Sequence, residues 1–369
     1  MTKKYIATIL IIIPVALLGA GAGVYFFWQN NNQDQKSTQA TTTDQPAEQN
    51  NKQADQSAIL NTSDSNIATD TSTNTTSYSD TNSSNTNNTS TQDTTAVDTS
   101  NLDQGILEGE VRKNLDLYYT TVNGKKIYLD LYRPVDISQK LPLVIWIHGG
   151  GWQAGDKANG QGKEIASYGF AVASINYRLS DEATFPAQIQ DVKAAVRWLR
   201  VYADKYGLDK NNFGAWGDSA GGHLAALLGT SGGVAEFEQG DNLNYSSQVQ
   251  AVCDWYGPTD FSQVDYSQYE NYANSVEALV GETDAADLMQ KANPIKYVDN
   301  NDPPFLIMHG DQDSIVPISQ SDILYQALNT AGVKAEFTKI PGAGHGDGFE
   351  FGEHVLGKVV PFFEQNLRD

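Results

Sequence analysis

Apolar positions divide the chain into three regimes. From Tyr5 to Trp28 no residue is charged, and 6–18 is almost wholly aliphatic. Residues 29–103 are rich in Thr, Ser, Asn, Gln and Asp and hold hardly any large apolar side chain. In 104–369, short apolar runs alternate with stretches of helical spacing.

The third regime reads as a sheet protein. Residues 118–122 and 126–132, joined by Asn123-Gly124, form an opening hairpin that Pro134 ends. Continuous apolar runs at 143–147 and 169–177 have the character of parallel strands buried on both faces. Ile189, Val192, Val196, Leu199 and Tyr202 follow helical spacing. A strand at 213–216 then leads through a tight turn into a helix over 223–228. Further strands are expected at 249–256, 305–308 and 336–340, with a closing helix over 351–367. This alternation predicts an α/β fold, a mostly parallel central sheet flanked by helices. Two excursions, near 231–248 and 260–300, interrupt it.

The first two regimes add an anchor and a spacer. A helix over 5–28 spans ~36 Å, enough for a bilayer core, so the stretch reads as a transmembrane signal anchor. Lys3 and Lys4 precede it, which leaves residues 1–4 in the cytoplasm and everything after Trp28 outside. The rival reading is a cleaved signal peptide with 19–23 as the small-residue cleavage region, and then the chain is secreted. Residues 29–103 are too polar to offset ordering entropy, so a disordered linker is expected there, with a reach of about 45–50 Å.

Charge and cysteine narrow the function. Lys and Arg total 24 against 45 Asp and Glu, a net charge of −21, which argues against nucleic acid as a partner. The one cysteine, Cys253, lies in an apolar run and reads as a small buried hydrophobe. One thiol excludes a disulfide framework. The five histidines show no metal-ligand spacing, and no cofactor motif is present.

In a parallel sheet, sites form beyond the carboxyl ends of the strands. Four such ends carry reactive or glycine-rich groups: 148–152, 217–221, 309–313 and 342–346. The turn Gly217-Asp218-Ser219-Ala220-Gly221 would hold a serine strained and projecting. A serine hydroxyl becomes a nucleophile when an imidazole accepts its proton, and the imidazole needs a carboxylate to orient it. Ser219, His345 and either Asp311 or Asp313 meet that need. The N–H groups of Gly150, Gly151 and Ala220 can receive an oxyanion. His148, His223 and His309 read as structural, His354 as surface or packing. Arg178 and Asp191 read as a structural pair, and Asp218 as a residue that orients the turn. The aromatics Trp255, Tyr256, Phe261, Tyr266, Tyr269 and Tyr272 either line a substrate pocket or pack the second excursion onto the sheet.

Residues 118–369 resemble the α/β-hydrolase superfamily, in particular its serine esterases with an HGGGW motif and a GDSAG elbow, of the hormone-sensitive-lipase-like and feruloyl or acetyl esterase-like groups. The resemblance is carried by His148-Gly149-Gly150-Gly151-Trp152, 176–179, 217–221, 254–258 and 309–317. It implies Ser219 as nucleophile, His345 as base and Asp313, rather than Asp311, as acid. It further implies a short acyl or aryl ester substrate, acetyl or hydroxycinnamoyl groups on carbohydrate included. An exopeptidase of the same fold would need a clamp for a free amino terminus, and no such motif is seen. An inactive binding module would lack a triad member. The helical cap that usually precedes the first strands in the lipase-like group is replaced here by the polar spacer, so substrate class is not carried over from that group.

Overall fold

The computed structural model describes Leu102, residues 105–349 and residues 352–368. The membrane segment at 5–28, and the linker of 29–103 apart from Leu102, lie outside the described residues. Among those described, no helix is long and apolar enough to cross a membrane.

The strands are β1 (Ile106–Glu108), β2 (Val111–Val122), β3 (Lys125–Pro134), β4 (Leu141–Ile147), β5 (Ala171–Ile175), β6 (Leu208–Asp218), β7 (Ala251–Trp255), β8 (Phe305–Gly310) and β9 (Ala335–Ile340). They form one sheet in the order β1-β2-β3-β5-β4-β6-β7-β8-β9. Pairing is antiparallel from β1 to β3 and between β3 and β5, and parallel from β5 onward. The larger helices are α1 (Ala187–Val201), α2 (Ala220–Thr230), α3 (Glu270–Val280), α4 (Ala285–Ala292), α5 (Ser319–Ala331) and α6 (Val360–Leu367).

Every residue of β4, β5, β7 and β8 is buried, as continuous apolar runs require when helices cover both sheet faces. Alternation along the strands sorts these side chains into two cores. Leu143, Ile145 and Ile147 of β4, with Phe213 and Ala215 of β6, meet Ile189, Val192 and Val196 of α1 and Leu224 of α2. Val144, Trp146, Trp216 and Trp255 face the other way, against Phe363 of α6. There Trp216 stands edge-on to both Trp146 and Trp255, with ring centroids 4.8 Å apart in each case. Cys253 is buried in this second core with its thiol free, and burial pushes the thiol up.

The structure departs from the sequence reading mainly at the margins. Strand β1 is three exposed residues with no apolar alternation to reveal it. Between β4 and β5 the crossover contains 3₁₀ turns, Gln161–Tyr168, in place of an α-helix. Helix α5 connects β8 to β9 with only Gln320, Ser321, Leu324 and Leu328 buried, a stripe too narrow and too polar to stand out. The closing segment becomes helical past Gly352 and runs through a π turn, Val355–Val359, into α6.

Candidate active site

Strand β6 delivers the elbow. Ser219 stands between β6 and α2 at φ 52, ψ −118, a conformation that costs a non-glycine residue ~1–3 kcal/mol. Its N–H donates to the Trp255 carbonyl at 2.8 Å, and its carbonyl accepts from His223 N–H at 3.0 Å, so both neighbours hold the strain in place. The flanking glycines allow strand and helix to touch. A Cβ on Gly221 would lie 2.0 Å from the Ile147 carbonyl oxygen, and one on Gly217 would lie 2.3 Å from the Gly221 carbonyl oxygen.

Residues from the ends of three strands meet here. Ser219 Oγ lies 2.8 Å from His345 Nε2, and His345 Nδ1 lies 2.7 Å from Asp313 Oδ2. The Asp313 carboxyl is fully buried and the His345 side chain is partly exposed. Burial works to raise Asp313, but hydrogen bonds from His309 and His345 outweigh it and hold the carboxyl far below its ordinary range. It is therefore an ionised acceptor. Asp311 is placed elsewhere, exposed and accepting from the Gly342 N–H at 2.7 Å as part of a turn.

The loop after β4 turns through three consecutive positive φ values, 104° at Gly150, 59° at Gly151 and 58° at Trp152. A Cβ on Gly150 would lie 2.3 Å from the Ala154 carbonyl oxygen. Gly149 spends its N–H on Asp218 Oδ1 at 2.8 Å, which ties this loop to the elbow. The N–H groups of Gly150, Gly151 and Ala220 have no acceptor among the described residues. Burial raises Asp218 to about 6, opposed by the Gly149 N–H and by the charge of His345.

The other histidines act as ties. The His148 ring stacks on Tyr177 at 4.5 Å, and the Tyr177 hydroxyl donates to the His148 carbonyl at 2.9 Å. His223 is buried on α2, where its Nδ1 accepts from Trp152 Nε1–H at 3.2 Å and its Nε2 faces the Ala292 carbonyl at 2.8 Å. Burial pushes His223 down to about 4. His354 is half-buried at the start of the closing helix. Arg178 grips Asp191 through Nε and a terminal nitrogen, both at 2.8 Å, and its N–H adds a third bond at 2.9 Å.

Most of the aromatic group serves packing. Trp255 belongs to the sheet core, and Phe261 stands edge-on to Trp152 at 5.9 Å. Tyr272 is buried beside Phe261, and the Tyr266 hydroxyl donates to the Phe261 carbonyl at 2.8 Å. Tyr256 differs: at φ 43 its ring comes within 4.7 Å of the His345 ring. Helix α3 closes on the oxyanion-type loop, since Gln153 Nε2 donates to Ser275 Oγ at 3.2 Å.

Residues 129–328 match the model of the BD-FAE family, a span that contains the 148–152 loop, the elbow and Asp313 and stops short of His345. The chain belongs to the BD-FAE family. Among curated relatives of this BD-FAE chain, Esterase LipC of Mycobacterium tuberculosis is 32% identical over 227 residues, 59% of this chain and 56% of that protein. The chain thus spans little more than half the length of such relatives. Among solved structures, a truncated carbohydrate esterase from gut microbiota is 34% identical with a TM-score of 0.64, covering 72% of this chain and 100% of that one. A bifunctional GH43-CE protein of Bacteroides eggerthii is 37% identical with a TM-score of 0.62, covering 69% of this chain and 38% of that one. The α/β-hydrolase esterase fold of these neighbours is the fold of this BD-FAE domain.

Sequence reasoning missed three attachments to this site: His309 to Asp313, Trp152 to His223, and Gly149 to Asp218. Two of them join separate motifs that no spacing rule connects, and the third, His309 to Asp313, lies within one motif where His309 reads only as structural.

Proposed function

We propose that this BD-FAE protein is a serine carboxylesterase that cleaves short acyl esters, acetyl or hydroxycinnamoyl groups on carbohydrate among them, through an acyl-enzyme. The observation that carries the reading is the hydrogen-bonded chain from Ser219 Oγ through His345 to the buried carboxylate of Asp313. In this scheme Ser219 Oγ attacks the ester carbonyl carbon as its proton passes to His345 Nε2. The N–H groups of Gly150, Gly151 and Ala220 receive the oxyanion. Collapse breaks the bond to the alcohol oxygen, which leaves with the proton from His345. Water, deprotonated by His345, then attacks the acyl-enzyme and releases the acid and free Ser219. The carbohydrate alcohol is favoured by the neighbour named as a carbohydrate esterase.

The test is hydrolysis of p-nitrophenyl acetate beside a panel of acetylated and feruloylated sugars. Ser219→Ala is expected to lose ~10³-fold or more in kcat and to lose labelling by a fluorophosphonate. A variant as active as the parent refutes the site. On sequence grounds alone, we place the catalytic domain outside the cytoplasmic membrane, tethered through 5–28 and spaced by 29–103. Recovery of the chain in the soluble cytosolic fraction would refute that placement.

A further inference from the structure

We propose that His309 is a positioning residue for this reaction: braced by Ser321, it is a fixed Nε2–H donor that holds Oδ2 of Asp313 where His345 must meet it. The proposal rests on the reading of Ser219, His345 and Asp313 as a catalytic triad.

Asp313 Oδ1 accepts from the N–H groups of Ile315 at 2.8 Å and Val316 at 2.9 Å. Oδ2 lies 2.7 Å from His345 Nδ1 and 3.1 Å from His309 Nε2. A carboxylate offers about four lone-pair sites, and here all four have a partner. Oδ2 is therefore pinned by His309 whether or not His345 is in contact.

The protonation of His309 follows from its neighbours. Nε2 faces only acceptors, Asp313 Oδ2 and the Val316 carbonyl oxygen, each at 3.1 Å, so it carries a proton. Nδ1 lies 2.7 Å from Ser321 Oγ, and a hydroxyl that donates there fixes the tautomer. Ser321 is itself held, because its neighbour Gln320 accepts from the N–H groups of Thr259 and Asp260, each at 2.8 Å. The His309 ring and the Ser321 side chain are both fully buried. Water cannot substitute for either partner.

Two consequences separate positioning from packing. Without the His309 donor the carboxylate stays beside His345, held through Oδ1, but Oδ2 loses its fixed angle to Nδ1, so the turnover step suffers more than substrate binding. The remaining charge on Oδ2 also falls more heavily on His345 and makes that base harder to deprotonate. The acid limb of the kcat/KM profile then moves to higher pH. Among the described residues, the titratable groups facing Asp313 and His345 are His309, Tyr256 at 4.7 Å from the His345 ring, and Asp218, whose charge couples to His345. Of these, the variants alter only His309.

The experiment compares pH profiles on p-nitrophenyl acetate for the full chain and for His309→Leu, His309→Gln, Ser321→Ala and Ser219→Ala. His309→Leu is expected to lose ~10- to 100-fold in kcat with KM little changed, and its acid limb to rise. His309→Gln keeps an N–H donor and an acceptor in reach and recovers most of the loss. Ser321→Ala moves both readouts in the same direction by less. A folded His309→Leu with a parental acid limb, or a His309→Gln no better than His309→Leu, overturns the proposal. If His309→Leu does not fold, Ser321→Ala with parental kcat and acid limb overturns it. An active Ser219→Ala would instead refute the triad reading.

Discussion

The tie between Trp152 and His223 makes stability depend on acidity in a calculable way. His223 must be neutral in the fold: Nδ1 accepts from Trp152 Nε1–H at 3.2 Å while Nε2 donates to the Ala292 carbonyl at 2.8 Å. A second proton on Nδ1 would confront the indole N–H with another donor and put a charge in a fully buried site. Burial accordingly lowers this imidazole from 6.5 to about 4. Between those values the unfolded chain binds a proton that the fold does not, so the stabilisation is complete above pH ~6.5 and is lost as pH falls toward ~4. The loss is about 3 kcal/mol in all.

The perturbation is His223→Gln, whose amide can donate to Ala292 and accept from Trp152 but does not titrate. Urea unfolding at pH 8, 6.5, 5 and 4 gives the stability of parent and variant. At pH 8 the variant is expected to be weaker by ~1 kcal/mol from imperfect geometry. On acidification the parent should lose that lead, and the curves should cross between pH 6.5 and 5. Comparison with the variant is essential because other groups oppose the trend. Burial raises Asp218 to about 6 and Asp254 to about 7, so both favour the fold as pH falls. Those contributions are common to parent and variant and cancel. Curves that run parallel from pH 8 to pH 4 would refute the reasoning.

Two further outcomes follow from the same structure. Gly151→Ala places a Cβ 2.7 Å from Ser275 Oγ on a residue at φ +59, so kcat is expected to fall ~10²-fold as the loop N–H groups shift. Adding Ser275→Gly should return only part of that activity, because it relieves the contact and not the φ; full recovery would show that the left-handed backbone is dispensable. Asp254 is buried with Oδ2 unpartnered among the described residues, and burial raises it from 3.8 to about 7. Its fold is favoured while the carboxyl is protonated, and that stability is lost as pH rises from ~4 through ~7. Asp254→Asn should remove a decline on the order of 4 kcal/mol over that range, and an undiminished decline in thermal unfolding would contradict it.

The centre of the fold was legible because its strands are buried on both faces. β4 is a continuous apolar run, and β5, β7 and β8 are each broken by a single polar residue, Ser174, Asp254 and His309. Strand β1 and helix α5 were not, since one is exposed throughout and the other buries four residues, two of them polar. The residues of the candidate triad were legible for a different reason. Each lies past the carboxyl end of a parallel strand, Ser219 directly after β6, Asp313 in the turn after β8 and His345 in the loop after β9, so sheet topology brings them to one edge. Side chains that depend on helix packing had no such guide. Ser321 reaches His309 only because α5 packs as it does, and the bond from Trp152 to His223 spans 71 residues between two separate motifs.

That difference bears on how the site keeps its shape. The loop with Gly150 and Gly151 has no regular backbone pairing to define it, and a turn of three positive φ values would relax if left alone. Beyond the turn bonds from Gln153 and Ala154 N–H to the Gly150 carbonyl and one from Ser180 N–H to the Trp152 carbonyl, it is fixed by side chains from separate elements. Asp218 takes the Gly149 N–H, Tyr177 and Ser180 donate to the carbonyls of His148 and Trp152, and His223 receives the Trp152 indole. Asp313 is fixed in the same manner from His309 and, through it, from α5. The loop and Asp313 thus sit on irregular backbone, and buried polar partners hold both, Asp218 and His223 from outside the motif of the loop and His309, braced by Ser321, from within that of Asp313. Substitutions at those partners should therefore weaken turnover without touching substrate, which makes them the positions where activity and stability separate.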